Sequence, residues 1–192
     1  MNARDALAAG GAIVVPNPAP LTHVVTATSP QAVNRLKGRP ADQPVALWCH
    51  HDETLARVED AVALDAAAVA TGRRLLREEL VTLLVPLRPD VPVWLRPAAK
   101  DGWALLFGAR WEPVAALLGE HPILYVSSAN RTGHAPVASA AAARAMFGDD
   151  VPVAAGEDRE PGVRSATTTV RLHGDGRLEL HRPGAQDARF VR

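Results

Sequence analysis

The chain has 192 residues, enough for one well-cored domain and short for two. Hydrophobic residues make up 47% and charged residues 22%, which describes a globular chain and excludes a disordered one. Twenty-one basic residues balance twenty-one acidic ones, so no global field draws the chain to nucleic acid or to an anionic membrane. The single cysteine, Cys49, cannot make an internal disulfide, and Met1 to Asp5 carry no signal-peptide pattern. No apolar run reaches the ~20 residues that span a bilayer. The expectation is a cytoplasmic protein without a membrane partner.

Taken in order, Arg4 to Ala9 reads as a short helix stopped by Gly10-Gly11, and Ala12 to Val15 as a buried strand ending at Pro16. Asn17-Pro18-Ala19-Pro20 is irregular, because its prolines fix the backbone and remove donors. Ser29 caps a helix with Pro30 at its first position; it runs through Val33 and Leu36 into a turn at Lys37. Val45 to Cys49 is a strand, Asp52 caps a helix through Leu55, Val58 and Val62, and Leu64 to Glu79 is a longer helix. Leu80 to Val85 is a strand closed by Pro86, Pro92 to Pro97 is irregular or edge structure, and Trp103 to Phe107 is a short strand. Glu112 to Leu118 is a helix, Ile123 to Val126 a buried strand, Ser139 to Phe147 a helix closed by Gly148, and Val151 to Ala155 a strand. Thr167 to Leu172 and Arg177 to His181 form a hairpin about Gly174-Asp175-Gly176. Helices and strands intermix without a break in composition, so residues 1–192 read as one α/β domain with a twisted mixed sheet, flanking helices and a concave ligand cleft.

Two stretches carry chemistry. Lys37-Gly38-Arg39-Pro40 sets two cations around a glycine between a helix and a strand. Arg39 offers a planar fork of donors, Lys37 a mobile point charge, and Gly38 a close backbone approach, which together suit an anion. Among 21 basic residues only Lys37 and Lys100 are lysines, which singles out the ammonium beside Arg39. The competing reading is a solvated charged turn closing a helix. Ser128-Ala129-Asn130-Arg131-Thr132-Gly133 follows a buried strand, where open α/β sheets bind ligands. Ser128 and Asn130 lie two apart, so in extended backbone they point the same way and can orient phosphate or carboxylate oxygens. Alternatively this is a strand-to-loop turn.

In this order, Gly10 to Pro16, Lys37-Gly38-Arg39-Pro40, Ser128-Ala129-Asn130, Thr167-Thr168-Thr169-Val170-Arg171 and His181-Arg182-Pro183-Gly184-Ala185 span nearly the whole chain. The set resembles the YrdC-type family of threonylcarbamoyl-adenylate synthases, with its lysine-x-arginine pair, SAN run, STVVD strand and LRPGA ending. The resemblance implies a nucleotidyltransferase that uses ATP with Mg²⁺, bicarbonate and threonine to make threonylcarbamoyl-AMP and pyrophosphate. That product feeds a downstream tRNA-modifying transferase. It implies that Lys37 and Arg39 act on the phosphate and carbamate oxygens. Ser128 and Asn130 orient the phosphate and acyl groups, and Thr167, Thr168 and Arg182 line the nucleotide side.

The chain departs from the family where a run close to PTDTVYGL becomes Pro16-Asn17-Pro18-Ala19-Pro20-Leu21-Thr22-His23. Glu78-Glu79-Leu80-Val81-Thr82 stands for the PGPLT loop, and two glutamates facing the cleft would repel phosphate. The arginine of the VAVRVP strand is replaced near Leu106 or Phe107, with Arg110 as a substitute. These departures keep a second reading in play: a divergent paralogue with another amine substrate, or a nucleotide- or RNA-binding module using arginines from Arg164 to Arg192. A carbamoyl-transfer partner in a biosynthetic pathway is a third. Cys49-His50-His51-Asp52 reads as surface polarity rather than a Zn²⁺ site, Arg73, Arg74 and Arg77 as a solvated helix face, and the four tryptophans as packing.

Overall fold

Side-chain alternation along short strands sets up two cores, one on each face of a single sheet. The computed structural model describes residues 1–154 and 163–190. Its strands are β1 (Ile13–Val15), β2 (Val24–Ala27), β3 (Ala46–Trp48), β4 (Thr82–Pro86), β5 (Ala99–Lys100), β6 (Trp103–Phe107), β7 (Tyr125–Ser128), β8 (Thr169–Leu172) and β9 (Leu178–Arg182). Its helices are α1 (Ala3–Ala8), α2 (Pro30–Lys37), α3 (Asp52–Ala61), α4 (Ala66–Arg77), α5 (Glu112–Gly119) and α6 (Ala140–Phe147). The sheet order is β1-β2-β7-β3-β6-β4-β8-β9, with β5 joined to the start of β6. β3 and β6 pair in parallel, as do β4 and β8, and the other pairs are antiparallel. The fold is the expected α/β arrangement, a mixed sheet with flanking helices.

The alternation is clean. Leu47, Leu106, Tyr125 and Val14 point to one face, against α2, α3, α4 and α6. Their neighbours Ala46, Trp48, Phe107, Val126, Ile13 and Val15 point to the other, against α1 and α5. α1 and α5 cover only part of that second face, and the uncovered part becomes the floor of a cleft.

Several local expectations change. β2 has no counterpart in the predicted elements: all four of its residues are buried, so it shows no polar alternation, and it follows directly on a proline-rich loop. His51, not Asp52, caps α3, its Nδ1 accepting from Glu53 N at 3.3 Å. Ser29 stands at the N-cap of α2, but its hydroxyl donates to Gln31 Oε1 instead of capping. The strand expected over Val151 to Ala155 reduces to one parallel bridge between Val153 and Val14, and Ala155 lies outside the described residues. No helix among the described residues is long and apolar enough to cross a membrane.

Two glycines make opposite predictions. A Cβ on Gly108 would sit 2.5 Å from Leu76 O and 2.9 Å from Val81 O, both backbone atoms. Gly108→Ala is expected to lower unfolding free energy by roughly 1–3 kcal/mol in urea titrations, as overpacking does. Gly119 ends α5 with nothing within 4 Å of that position. Gly119→Ala is expected to be neutral or to stabilise by up to about 1 kcal/mol.

Candidate anion-binding cleft

The uncovered sheet face carries a cleft of about 360 Å³, floored by Val24, Ala46, Leu105, Phe107 and Val126. Its walls come from four places in the chain: Asn17 and Thr22; Lys37, Arg39 and Gln43; Ser128, Asn130 and Thr132; and Thr167 with Arg182. Among the described residues three cations line it, and none of the lining residues is Asp or Glu.

Lys37 reaches the cleft because Gly38 ends α2 in the left-handed region, at φ 66°, turning the chain back toward the sheet. Lys37 is not the mobile charge its setting in the sequence suggests. It is only 4% exposed. Its ammonium donates to Ser128 O, to Asn130 O at 2.9 Å and to Asn130 Oδ1 at 2.9 Å, with Ser128 Oγ at 3.4 Å. Ser128 Oγ donates in turn to Asn130 Oδ1 at 2.6 Å. The backbone closes the same knot from the other side, Thr132 N and Oγ1 donating to Lys37 O at 3.0 and 3.1 Å. Ser128 and Asn130 thus share one direction, as their spacing predicts, and converge on Lys37.

Burial, and secondarily the charge of Arg39, bring the Lys37 pKa down from 10.5 to about 7. Burial also lowers that of Arg39. Arg39 Nε donates to Asn34 Oδ1 at 2.5 Å, while its buried Nη2 has no hydrogen-bond partner among the described residues. Across the cleft, Thr167 and Thr82 share a hydroxyl hydrogen bond of 2.6 Å, and Arg182 Nη2 donates to Thr167 O at 3.4 Å.

Of the residues the sequence singles out, Thr168 stands apart. It is fully buried, its Oγ1 donating to Asp187 Oδ1 at 2.8 Å and accepting from Gln186 N at 2.9 Å. It buckles the segment after β9 onto the start of β8 rather than lining the cleft. Gly184 fits there because a Cβ would lie 2.4 Å from Thr168 N. Glu78 and Glu79 also stay off the lining, with Glu79 paired to Arg74 at 3.0 Å. Arg110 does not replace a cleft arginine; it holds Asp52 at 3.1 Å and Cys49 O at 3.1 Å. Phe107 faces the cleft and Leu106 the opposite core.

The proline-rich loop contributes two polar side chains to the cleft. Asn17 and Thr22 line the cleft, and Asn17 Nδ2 donates to Thr22 O at 2.9 Å. Arg164 Nη1 donates to Asn17 O and Leu21 O, both at 2.9 Å, and Ser165 pairs with Leu21 in a parallel bridge. Sequence reasoning gave Asn17 and Thr22 no role in the cleft, and read Arg164 only as part of a basic C-terminal segment. The available signal was an isolated asparagine and threonine within a proline run, and an arginine just ahead of the threonine-rich strand. The other C-terminal arginines are also engaged, Arg171 and Arg177 with Glu179, whereas Arg192 and the Arg189 side chain lie outside the described residues. Among the described residues no group of three or more His, Cys, Asp or Glu could hold a metal, and the Cys49 to Asp52 stretch is no exception. Trp48, Trp94 and Trp111 are absent from the cleft lining; Trp103 borders an adjoining recess.

Fold and cleft together define an α/β protein with a concave, cation-lined cleft at the end of a sheet strand. The family model covering Sua5, YciO and YrdC, described as telomere recombination, matches residues 5–184, and the chain belongs to that family. Among solved structures it resembles P. abyssi Sua5 complexed with L-threonine, at 22% identity and a TM-score of 0.68, covering 95% of this chain and 53% of that one. E. coli YciO is similar at 16% identity and a TM-score of 0.68, covering 97% and 89%. T. kodakarensis HypF is similar at 16% identity and a TM-score of 0.70, covering 98% and 24%. The chain spans about half the length of the Sua5 structures it matches. No curated protein matches it.

Lys37 makes stability depend on pH in a defined direction. The folded state releases this proton near pH 7 and the unfolded state near 10.5, so between them the unfolded state binds more protons and stability rises with pH. Urea unfolding at pH 7, 8 and 9 is expected to show wild type gaining on Lys37→Met, by at most about 1.4 kcal/mol per pH unit. Arg164→Ala is expected to speed amide hydrogen exchange across residues 17–23 while leaving β4 and β6 unchanged.

Proposed function

We propose that this protein is an ATP-dependent synthase of the threonylcarbamoyl-adenylate type, joining bicarbonate, threonine and ATP. The observation that carries the reading is the convergence of Lys37, Arg39, Ser128, Asn130, Thr167 and Arg182 on one cleft, with no carboxylate among the described lining residues. Family membership and the likeness to a threonine-bound Sua5 support it. In the proposed reaction the threonine amine and bicarbonate condense to a carbamate with loss of water. A carbamate oxygen then attacks the α-phosphorus of ATP. The bond to the β-phosphate bridging oxygen breaks, and pyrophosphate leaves with the electron pair.

Such a transfer needs positioning and charge stabilisation rather than a nucleophilic side chain. Lys37, Arg39 and Arg182 supply the charge, and Arg39 Nη2 is a buried donor that a phosphate or carbamate oxygen would satisfy. Ser128 and Asn130 hold the Lys37 ammonium and add neutral polar groups. Asn17 and Thr22 form the acceptor end, where the amine and bicarbonate would meet. A recess of about 260 Å³, walled by Leu84, Trp103, Leu105 and Arg182, adjoins the cleft and offers room for the nucleoside end. With no carboxylate among the described lining residues, Mg²⁺ would enter bound to the triphosphate as part of the substrate. The engagement of Arg164, Arg171 and Arg177 with carbonyls and a carboxylate favours this reading over an RNA-binding module. The product, an activated carbamate, suits consumption by a tRNA-modifying transferase.

Incubation with ATP, Mg²⁺, bicarbonate and threonine is expected to yield threonylcarbamoyl-AMP by mass, together with pyrophosphate. Absence of any threonine-dependent product would reject the reaction. Lys37→Ala and Arg39→Ala are each expected to weaken ATP binding at least about tenfold, the loss of one charge-assisted contact. ATP favours the charged form of Lys37, so binding takes up a proton. Affinity is therefore expected to fall as pH rises from 7.5 to 9, by up to about tenfold per unit, and to stay flat in Lys37→Met. Calorimetry in buffers of different ionisation heat measures both.

A further inference from the structure

We infer that Asn34 is a positioning residue that aims Arg39 into the cleft, an inference that rests on Arg39 being an anion ligand. Asn34 lies within α2, one turn before Lys37, and is 0% exposed. A polar side chain on the buried face of a short helix requires partners, and here each one lies in the next few residues of the chain. Asn34 Nδ2 donates to Ala41 O at 3.0 Å and to Gln43 O at 2.8 Å, and Oδ1 accepts from Arg39 Nε at 2.5 Å. The Asn34 carbonyl accepts from Arg39 N at 3.1 Å. The orientation of the amide follows from the partners: turned over, its oxygen would face two carbonyl oxygens and its NH₂ the Nε–H of Arg39.

The consequence for Arg39 is geometric. The guanidinium is planar, so fixing the direction of Nε–H fixes the plane in which the two Nη groups lie. With Nε committed to Asn34, the end of the fork is left for a ligand, and Nη2 has no partner among the described residues. The same amide shapes the return of the chain through Gln43, Pro44 and Val45, which also line the cleft. No smaller change reproduces this. Serine is too short to span the loop, leucine leaves both carbonyls and Nε without partners, and aspartate accepts from Arg39 but repels Ala41 O and Gln43 O.

A residue that merely stabilises α2 would affect ATP binding whether or not Arg39 is present, whereas a positioning residue acts only through it. The test is a double-mutant cycle on ATP affinity, by calorimetry, over wild type, Asn34→Ala, Arg39→Ala and the double variant. Asn34→Ala is expected to weaken ATP binding at least tenfold in wild type and less than twofold in the Arg39→Ala background. Equal losses in both backgrounds, or no loss in wild type, overturn the inference. Asn34→Leu keeps the branched shape at Cγ without an acceptor for Arg39 Nε, and is used where Asn34→Ala fails to fold. It is expected to show the same dependence on Arg39. Should wild type bind no ATP at all, the functional reading fails separately, and the inference is judged on wild type alone by ¹⁵N NMR. The Arg39 Nε–H signal, assigned by its loss in Arg39→Lys, is expected to exchange slowly with solvent, and rapid exchange overturns the inference.

Discussion

A lysine ammonium buried among uncharged oxygens is the constraint on which the rest of this cleft depends. Taking a cation out of water is costly, and Lys37 recovers part of that cost from two carbonyls, an amide oxygen and a hydroxyl. Those acceptors belong to Ser128 and Asn130, at the end of β7, so the end of α2 and the end of β7 are held at one place. The backbone of Lys37 accepts from Thr132 in return, and the knot is closed both ways. Carbonyls and hydroxyls solvate the charge without cancelling it. Among the described residues Lys37 therefore has no carboxylate partner to neutralise it.

The sheet explains why this site faces a cavity. Strands that alternate strictly present one set of side chains to α2, α3, α4 and α6 and another to α1 and α5. The two short helices on the second face are too few to cover it. Leu105, Phe107 and Val126 are left as an apolar floor, and the polar groups stand at the strand ends and in the loops around it. Positioning of the walls then falls to residues off the lining. Arg164 ties down the proline-rich loop, Asn34 directs Arg39, and Thr168 buckles the C-terminal segment to β8. Arg164 and Asn34 each satisfy two backbone carbonyls, and Thr168 satisfies one backbone N–H and a carboxylate oxygen.

Much of the fold was legible in the chain because its signals are local. Pro30 after Ser29, the Gly38 stop, the Gly174-Asp175-Gly176 turn and the apolar runs of β3, β4 and β6 each act within a few residues. β2 was not legible: a four-residue strand buried on both faces has no period to read, and its partners β1 and β7 supply the only reason for it to be extended. The expected strand at Val151 differs for the converse reason, since among the described residues a strand-like run forms one bridge to β1, at Val153.

The sequence by itself determined which residues are chemically able to bind an anion: Lys37, Arg39, Ser128, Asn130 and Arg182, spread over most of the chain. It also determined the α/β class, because periodicity and turn chemistry are properties of neighbouring residues. Tertiary structure alone decided that Lys37 is buried and Thr168 is a buckle, that Glu78, Glu79 and Arg110 stand away from the cleft, that Asn17 and Thr22 belong to it, and that Asn34 stands behind Arg39. Burial and hydrogen-bond partners arise between segments far apart in the chain, and it is those contacts that turn a charged turn into a site.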